Sequence, residues 1–147
     1  MNIDEVRTGV AAAIESGGVR AGLAYLNALG GHRFTAMYRF DGSMLRNHYY
    51  YDRENPSVED TEDFPVEVTF CVYIRESGRP FVLEDALRDA RVEGHPAQHR
   101  VRAYCGVPIQ DREGNTIGTM CHFDCVPVPA TDEVVDVMQA VAPLLLR

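Results

Sequence analysis

The four cysteines of this 147-residue chain are its most reactive side chains, and their spacing limits the chemistry they could do. Neither a Cys-x-x-Cys pair nor another paired metal-ligand spacing occurs, so we predict no metal site. Two interpretations stay open for Cys71, Cys105 and Cys121. They could form a redox-active dithiol, or they could be small buried side chains that fill a sheet face.

The register of a predicted hairpin over residues 101–124 bears on this choice. The sequence Asp-Arg-Glu-Gly at 111–114 fits a type I turn closed by a glycine with positive φ, and it pairs Asp111 with Asn115. Because paired positions then add up to a constant, Cys105 is predicted to lie opposite Cys121. The register would bring these two thiols within reach of each other.

The same register predicts that His122 lies opposite Tyr104. A histidine in the middle of a hairpin is typical of a hydrogen-bonded structural residue. No third residue can be named that would complete a nucleophile and base arrangement around it. We therefore predict no catalytic residue, and the chain is not expected to be an enzyme.

The only locally basic part of the chain lies between residues 85 and 102. Its charged and imidazole side chains are Arg88, Arg91, Arg100 and Arg102, with His95 and His99 between them, against Asp89 and Glu93. Guanidinium groups above an apolar pocket can donate paired hydrogen bonds to a small ligand with a carboxylate, a phosphate or a polar ring. Alternatively, these arginines are solvated or pair with the acidic stretch at 52–67. Asp85 at a strand end could bind a ligand or cap the next turn.

Hydrophobic periodicity and turn signals predict the elements that must position these residues. We expect helices to about residue 15 and at 19–29, followed by a hairpin of strands 34–40 and 44–51 and an acidic loop. A short helix within 66–77, a strand at 79–83 and an irregular stretch at 85–100 come next. The chain then forms the hairpin at 101–124 and a last helix that is capped by Thr131 and ends or kinks at Pro143. This order predicts one α+β domain over residues 1–147, built on an antiparallel sheet.

Composition and charge exclude several functions. The formal net charge is −8, and all 14 basic residues are arginine. A negative surface without a basic run disfavours nucleic acid and anionic membranes as partners. No apolar run is long enough to span a bilayer, and the N-terminus has no secretory signal pattern, so we expect a cytoplasmic protein.

An ordered set of motifs carries a family resemblance. The motifs are Thr-Phe-Cys at 69–71, Ser-Gly-Arg-Pro at 77–80, Val-Leu-Glu-Asp at 82–85, Arg-Ala-Tyr-Cys-Gly-Val-Pro-Ile at 102–109, Asp-Arg-Glu-Gly at 111–114 and Ile-Gly-Thr-Met-Cys at 117–121. With these spacings the chain resembles the GAF domains of bacterial signalling proteins. The resemblance implies a five- or six-stranded antiparallel sheet, terminal helices on one face, and a small-molecule pocket on the other under a roof formed by residues 51–102.

Ligand contacts are expected from seven side chains in or near that roof and the sheet beneath it. They are Cys71, Asp85, Arg91, His95, Arg102, Tyr104 and His122. No cofactor is expected. The bilin-binding relatives carry a Pro-x-Ser-Asp-Ile-Pro run that is absent here, and the cyclic-nucleotide-binding relatives use a lysine that this chain does not have.

Free methionine sulfoxide reductases also resemble this pattern, and they carry a reactive cysteine in a Gly-His-x-Ala-Cys run. Here Gly94-His95-Pro96-Ala97 is followed by Gln98. Our first hypothesis is therefore a homodimeric sensory domain that binds a small molecule and signals to a separate protein. The alternatives are a thiol enzyme or redox sensor that uses Cys71, Cys105 or Cys121, and a dimerisation module without a ligand.

Overall fold

Helices from both ends of the chain pack on one face of an antiparallel sheet whose strands differ in length. A computed structural model describes residues 1–146. Its helices are α1 (Ile3–Gly17), α2 (Val19–Ala28), α3 (Cys71–Ser77) and α4 (Asp132–Val141), and its strands are β1 (Phe34–Asp41), β2 (Met44–Asp52), β3 (Phe64–Pro65), β4 (Phe81–Leu83), β5 (Ala103–Gln110) and β6 (Thr116–Asp124). Within this range no helix is long and apolar enough to cross a membrane.

The six strands form one sheet in the order β3-β2-β1-β6-β5-β4, and every neighbouring pair is antiparallel. The predicted α+β class is confirmed, with the larger of the two expected strand numbers. The short edge strand β3 was not predicted, since it lies within the acidic stretch that we expected to be a loop. α4 ends at Val141, just before Pro143, as its missing amide requires.

Alternate residues of the long strands pack into two separate hydrophobic cores, one on each face of the sheet. Under α1, α2 and α4 the sheet contributes Met37, Cys105, Val107, Ile109 and Met120. On the opposite face Ala36, Tyr38, Leu45, Tyr104 and Cys121 pack against α3 and the segments around it. This arrangement confirms that the terminal helices cover one face and that the roof covers the other.

The predicted register of the last hairpin is wrong beyond its turn. Asp111 does pair with Asn115, and Gln110 lies opposite Thr116, but Ile109 then lies opposite Gly118. Ile117 is thus an extra residue in β6, a β-bulge that shifts the register by one position. Gly118 fits there because a Cβ would overlap the carbonyl oxygen of Tyr38 in β1.

The bulge moves the partners onto different faces, because a shift of one residue reverses the side-chain direction. Cys105 lies opposite His122, and Cys121 lies opposite Gly106. Tyr104 lies opposite Phe123 instead of His122. Neither the predicted pair of Cys105 with Cys121 nor the pair of Tyr104 with His122 forms.

Candidate functional site

A cavity of about 210 Å³ lies between the sheet and the roof, on the face that the terminal helices leave free. The sheet provides its floor and the segment from residue 61 to residue 101 provides its cover. The residues that line it are Phe34, Tyr38, Leu45, Tyr50, Thr61, Phe64, Val68, Thr69, Phe70, Cys71, Ala97, Arg100, Val101, Tyr104, Cys121, Phe123 and Cys125. Most of this surface is apolar, as in a typical small-molecule pocket.

Aromatic rings form the walls of the cavity. Phe34 stacks on Phe123 with 4.9 Å between ring centroids, and Tyr50 is tilted against Phe34 at 5.9 Å. On the other side Phe70 meets Tyr104 edge to face at 5.8 Å. β1 and β6 supply Phe34 and Phe123, because these paired residues and Tyr38 further along β1 share one side-chain direction. Several flat apolar surfaces therefore face one small space.

The floor of the cavity carries a cluster of weakly polar groups. The Cys71 sulfur lies 3.1 Å from the Tyr104 hydroxyl and 3.2 Å from the Thr119 hydroxyl. Gly106 allows this contact, since a Cβ at that position would come within 2.5 Å of the Tyr104 hydroxyl and 2.7 Å of Ile74. The glycine thus lets the Tyr104 ring lie along the sheet and reach α3.

The thiols in the floor differ in acidity. Burial opposes ionisation of Cys71, but hydrogen-bonding groups around the sulfur, first the Cys121 thiol, outweigh burial and lower the Cys71 pKa. The interaction with Cys71, together with burial, raises the pKa of Cys121 well above its usual value. Of this adjacent pair, Cys71 is therefore the thiol that ionises more readily.

Two tyrosines in the pocket stay protonated at neutral pH. Burial is the main cause that raises the pKa of Tyr38 and of Tyr104 well above the ordinary value. The Tyr104 hydroxyl is hydrogen-bonded to the Cys71 sulfur. Tyr38 is only 7% exposed, yet its hydroxyl makes no hydrogen bond to any part of the chain that the structure describes. The Tyr38 hydroxyl is therefore a neutral hydrogen-bond donor without a partner among the described residues, in an apolar cavity.

Arg100 is the one charged side chain among the described residues that line the cavity. It is exposed at the mouth, where its guanidinium lies 5.9 Å from the centroid of the Phe64 ring. Within residues 1–146 no carboxylate pairs with it. Sequence reasoning placed Arg100 in the basic stretch but not among the ligand contacts, since sequence alone could not tell which arginine of the stretch faces the pocket.

Of the seven expected ligand contacts, Cys71 and Tyr104 line the cavity, and the other five lie elsewhere. Asp85 is paired with Arg102 through two bonds of 2.8 and 3.0 Å, which hold the pKa of Asp85 below its usual value. Arg91 binds Asp89 at 2.7 Å and donates to the Val82 carbonyl oxygen at the open edge of β4. These groups border a wide surface groove apart from the aromatic cavity.

Arg88, Arg91 and Arg102 are thus paired with Asp85 and Asp89 of the same segment. Neither Arg91 nor Arg102 reaches the acidic stretch at 52–67, as one interpretation proposed. That stretch pairs instead with Arg33, just before β1, through Asp52 at 2.8 Å and with Arg46 of β2 through Asp63 at 3.1 Å. Arg100 is left without such a partner among residues 1–146 and lies at the pocket mouth.

His95 supports the pocket from behind its wall. Its ring lies 4.9 Å from Phe70 and 5.6 Å from Tyr73, and its Nδ1 accepts a hydrogen bond from the Ala97 amide at 3.0 Å. Burial lowers its pKa, against the opposing effect of backbone carbonyl groups at Thr69 and Glu67. The side chain holds two roof segments together and does not itself line the cavity.

His122 lies on the opposite face, because of the bulge, in a polar cluster beneath the helices. Its Nδ1 lies 2.6 Å from the Thr35 hydroxyl, which also accepts a hydrogen bond from Asn27 of α2. The ring stacks on His32 with 5.8 Å between centroids. Burial, and next the nearby His32, lowers the pKa of His122 to about 3, so the ring is neutral.

The bulge also divides the cysteines. Cys71 and Cys121 are buried in the pocket floor, and the exposed Cys125 lies at its rim. Cys105 is on the helix-covered face, next to the Met138 sulfur at 3.6 Å, and burial raises its pKa to about 12. All four thiols are free. Within residues 1–146 no three His, Cys, Asp or Glu side chains come together as metal ligands would.

Comparison with known proteins supports the resemblance noted above. The family model for the GAF domain matches residues 4–145. A comparison with curated protein sequences gave no match.

Several solved structures share the fold at low sequence identity. The GAF domain of an Acinetobacter phosphoenolpyruvate-protein phosphotransferase has a TM-score of 0.77 at 11% identity, over 99% of this chain and 92% of that one. A Burkholderia vietnamiensis protein described as a GAF sensor has a TM-score of 0.73 at 16% identity, over 100% and 95% of the two chains. A free methionine-R-sulfoxide reductase from Neisseria meningitidis, solved with its substrate, has a TM-score of 0.71 at 16% identity, over 97% and 83%.

Proposed function

This chain belongs to the GAF domain family, and we propose that it is a sensory domain that binds a small molecule in the aromatic cavity under its roof. The cavity itself is the observation that carries the proposal. Folded proteins keep few voids larger than a water molecule. A space of about 210 Å³ with apolar walls and unpaired polar groups is suited to a guest.

We propose that the whole chain works as a single domain, and that closure of the roof over the ligand produces the signal. A ligand shifts a conformational equilibrium only by contacts that one state has and the other lacks. Between the edge strands β3 and β4 and after them, the roof consists of α3 and short 3₁₀ turns, and it can make such contacts as it closes. Neighbouring residues of β6, Met120 and Cys121, face the helices and the cavity, so the sheet couples the two layers.

The proposal includes a homodimer and a separate signalling protein as partners, reached through α1 and α4, with no role for nucleic acid or membrane. The side chains of α1 and α4 share one core, through Val6, Val10, Val137 and Val141, so a shift of one helix displaces the other.

We also propose a cytoplasmic location. Four cysteines without a disulfide are usual in a reducing compartment.

A thiol enzyme is the second candidate, because three cysteines border the cavity. Against it, Gln98 stands where the reductase pattern has its reactive cysteine, and Gln98 has a structural task here. Its amide nitrogen donates to the Ala86 carbonyl oxygen and its amide oxygen accepts from the Gly94 amide. We expect no turnover of free methionine sulfoxide in an assay with an added thiol reductant.

A ligand screen by thermal unfolding tests the main proposal. Nucleotides, amino acids and aromatic acids are added to the protein, and at about 100 times its Kd a true ligand should raise Tm by roughly 5–10 °C. In the variant Val101→Phe, the larger side chain projects into the cavity and should abolish the shift. Val126→Phe adds the same ring at a position that is 56% exposed and outside the cavity, and it should keep the shift.

Two results would contradict the proposal. One is a screen in which no compound stabilises the protein, which would favour a dimerisation module. The other is a ligand whose Tm shift persists in Val101→Phe, because its binding site would then lie outside the cavity.

A further inference from the structure

The contents of the cavity restrict the chemistry of its ligand. We propose, on the basis of the sensory function above, that the ligand is a small aromatic carboxylate, with its ring among the aromatic walls and its carboxylate at Arg100. The inference combines three observations: the size of the cavity, the flat rings that line it, and Arg100, the one cation among residues 1–146 that lines the cavity.

Size limits the ligand to about one ring. An engineered apolar cavity of roughly 150 Å³ binds benzene, whereas pockets for drug-sized molecules begin at roughly 300 Å³. At about 210 Å³ this cavity holds one ring with a short substituent. A nucleotide would need more space and more than one cationic group for its phosphate.

The walls select a flat apolar body. Phe34, Tyr50 and Phe123 present ring faces and edges from one side, and Phe70 and Tyr104 from the other. Aromatic pairs gain from stacked or edge-to-face geometry beyond the gain from burial. The Cys71 and Cys121 sulfurs in the floor add polarisable contacts for a ring.

The position of charge defines the end of the ligand that faces solvent. A carboxylate could not be buried among these rings without a partner. Arg91 and Arg102 are already paired with Asp89 and Asp85, so among the described arginines of the roof Arg100 is the one whose guanidinium lines the cavity. Its place at the mouth keeps the carboxylate partly hydrated while the ring is buried. Tyr38 also lines the cavity, and its hydroxyl has no hydrogen-bond partner among residues 1–146, so a polar ring substituent of the ligand can accept its hydrogen bond.

Titration calorimetry with benzoate and its neutral isostere benzamide tests this inference on the full chain. Benzoate should bind more tightly than benzamide, and acetate, which has no ring, should not bind. Arg100→Gln should weaken benzoate binding by roughly 10- to 100-fold, the usual value of a charge-assisted hydrogen bond, and leave benzamide unchanged. Arg112→Gln removes the same charge from an exposed turn outside the cavity and should change neither.

The outcomes separate this inference from the proposed function. Equal binding of benzoate and benzamide, or no effect of Arg100→Gln, would overturn the carboxylate assignment and leave the cavity as a binding site. A screen that finds only non-aromatic ligands sensitive to Val101→Phe would overturn the whole ligand class and keep the sensor. Binding of benzoate that Val101→Phe does not reduce would also overturn it, since the ligand would then lie elsewhere.

Discussion

On β6, Met120 packs beneath the terminal helices while its neighbour Cys121 lines the cavity, and this contrast runs along the whole sheet. On the helix-covered face Val10, Leu23 and Met138 have no exposed surface, and side chains from three helices fill the space. On the pocket face the same strands leave a cavity of about 210 Å³. The same backbone therefore carries a closely packed layer and an incompletely packed one.

The difference shows how one small domain divides stability from binding. A closely packed face gains the dispersion contacts and the burial that hold the fold together. The pocket face gives up part of that gain, because a site that admits a ligand must leave space for it. Substitutions on the two faces should therefore have unequal effects on stability, and these differences can be measured.

The largest expected difference is between two leucines. Leu23→Ala, under the helices, should lower the free energy of unfolding by about 3–5 kcal/mol, because it leaves a new void in a filled core. Leu45→Ala, on the pocket face, should cost only about 1–3 kcal/mol, since Leu45 already borders empty space and has fewer contacts to lose. Urea denaturation of the two variants measures both values. Equal losses would show that the two faces are equally well packed.

The second prediction uses the neutral histidine pair of the covered face. Because the pKa of His122 is about 3 in the folded state and about 6.5 in the unfolded chain, the unfolded state binds more protons between these values. Stability should therefore fall as pH drops below about 6.5, at up to about 1.4 kcal/mol per pH unit. His122→Asn should flatten this slope in denaturation curves recorded between pH 7 and pH 4.5.

The matched variant is His48→Asn, which removes a histidine that is exposed on β2. It should keep the slope of the unchanged protein. If His122→Asn keeps that slope as well, the imidazole does not stay neutral in the folded state, and the helix-covered face is more open to water than its burial implies.

The smallest expected effect concerns the floor of the pocket. Gly106→Ala places a methyl group against the Tyr104 hydroxyl and Ile74, so it should cost about 1–3 kcal/mol and also weaken ligand binding, since Tyr104 must move into the cavity. Gly30→Ala meets open space and should change stability by much less. Thermal unfolding with and without ligand separates the two effects. A stable Gly106→Ala variant with unchanged binding would show that the floor tolerates movement.

Local signals predicted the elements well, because each has a cause in a few neighbouring residues. The Thr131 cap and the stop at Pro143 lie where the chain chemistry requires them. The first hairpin also forms as predicted, but its two turn residues are Gly42 and Ser43, since Asp41 still pairs with Met44, so the turn predicted at Asp41-Gly42 is one residue too early. The short strand β3 escaped prediction, since its two residues pair only because Met44 and Leu45 of β2 offer partners. Its formation depends on tertiary contact rather than on its own sequence.

The composition of the site was harder to predict for the same reason. One extra residue, Ile117, decides whether Cys121 and His122 face the pocket or the helices, and no local signal announces it. The roof was recognised as a segment, but the pairing of Arg102 with Asp85 that leaves Arg100 at the mouth is a matter of three-dimensional packing. The aromatic walls could have been found from the shared parity of Phe34 and Tyr38 on β1.

The two edges of the sheet have a further consequence for how the protein behaves at high concentration. Edge strands offer free backbone groups to which a second chain can add and begin a fibrillar aggregate. Here both edge strands are very short, Pro65 in β3 has no amide to donate, and Arg91 occupies the Val82 carbonyl on β4. Beyond β3, Arg20 binds the Tyr50 carbonyl and Asp63 accepts from the Asn47 amide. Charged side chains thus block strand addition along both borders, and the sheet is protected against self-association through its backbone.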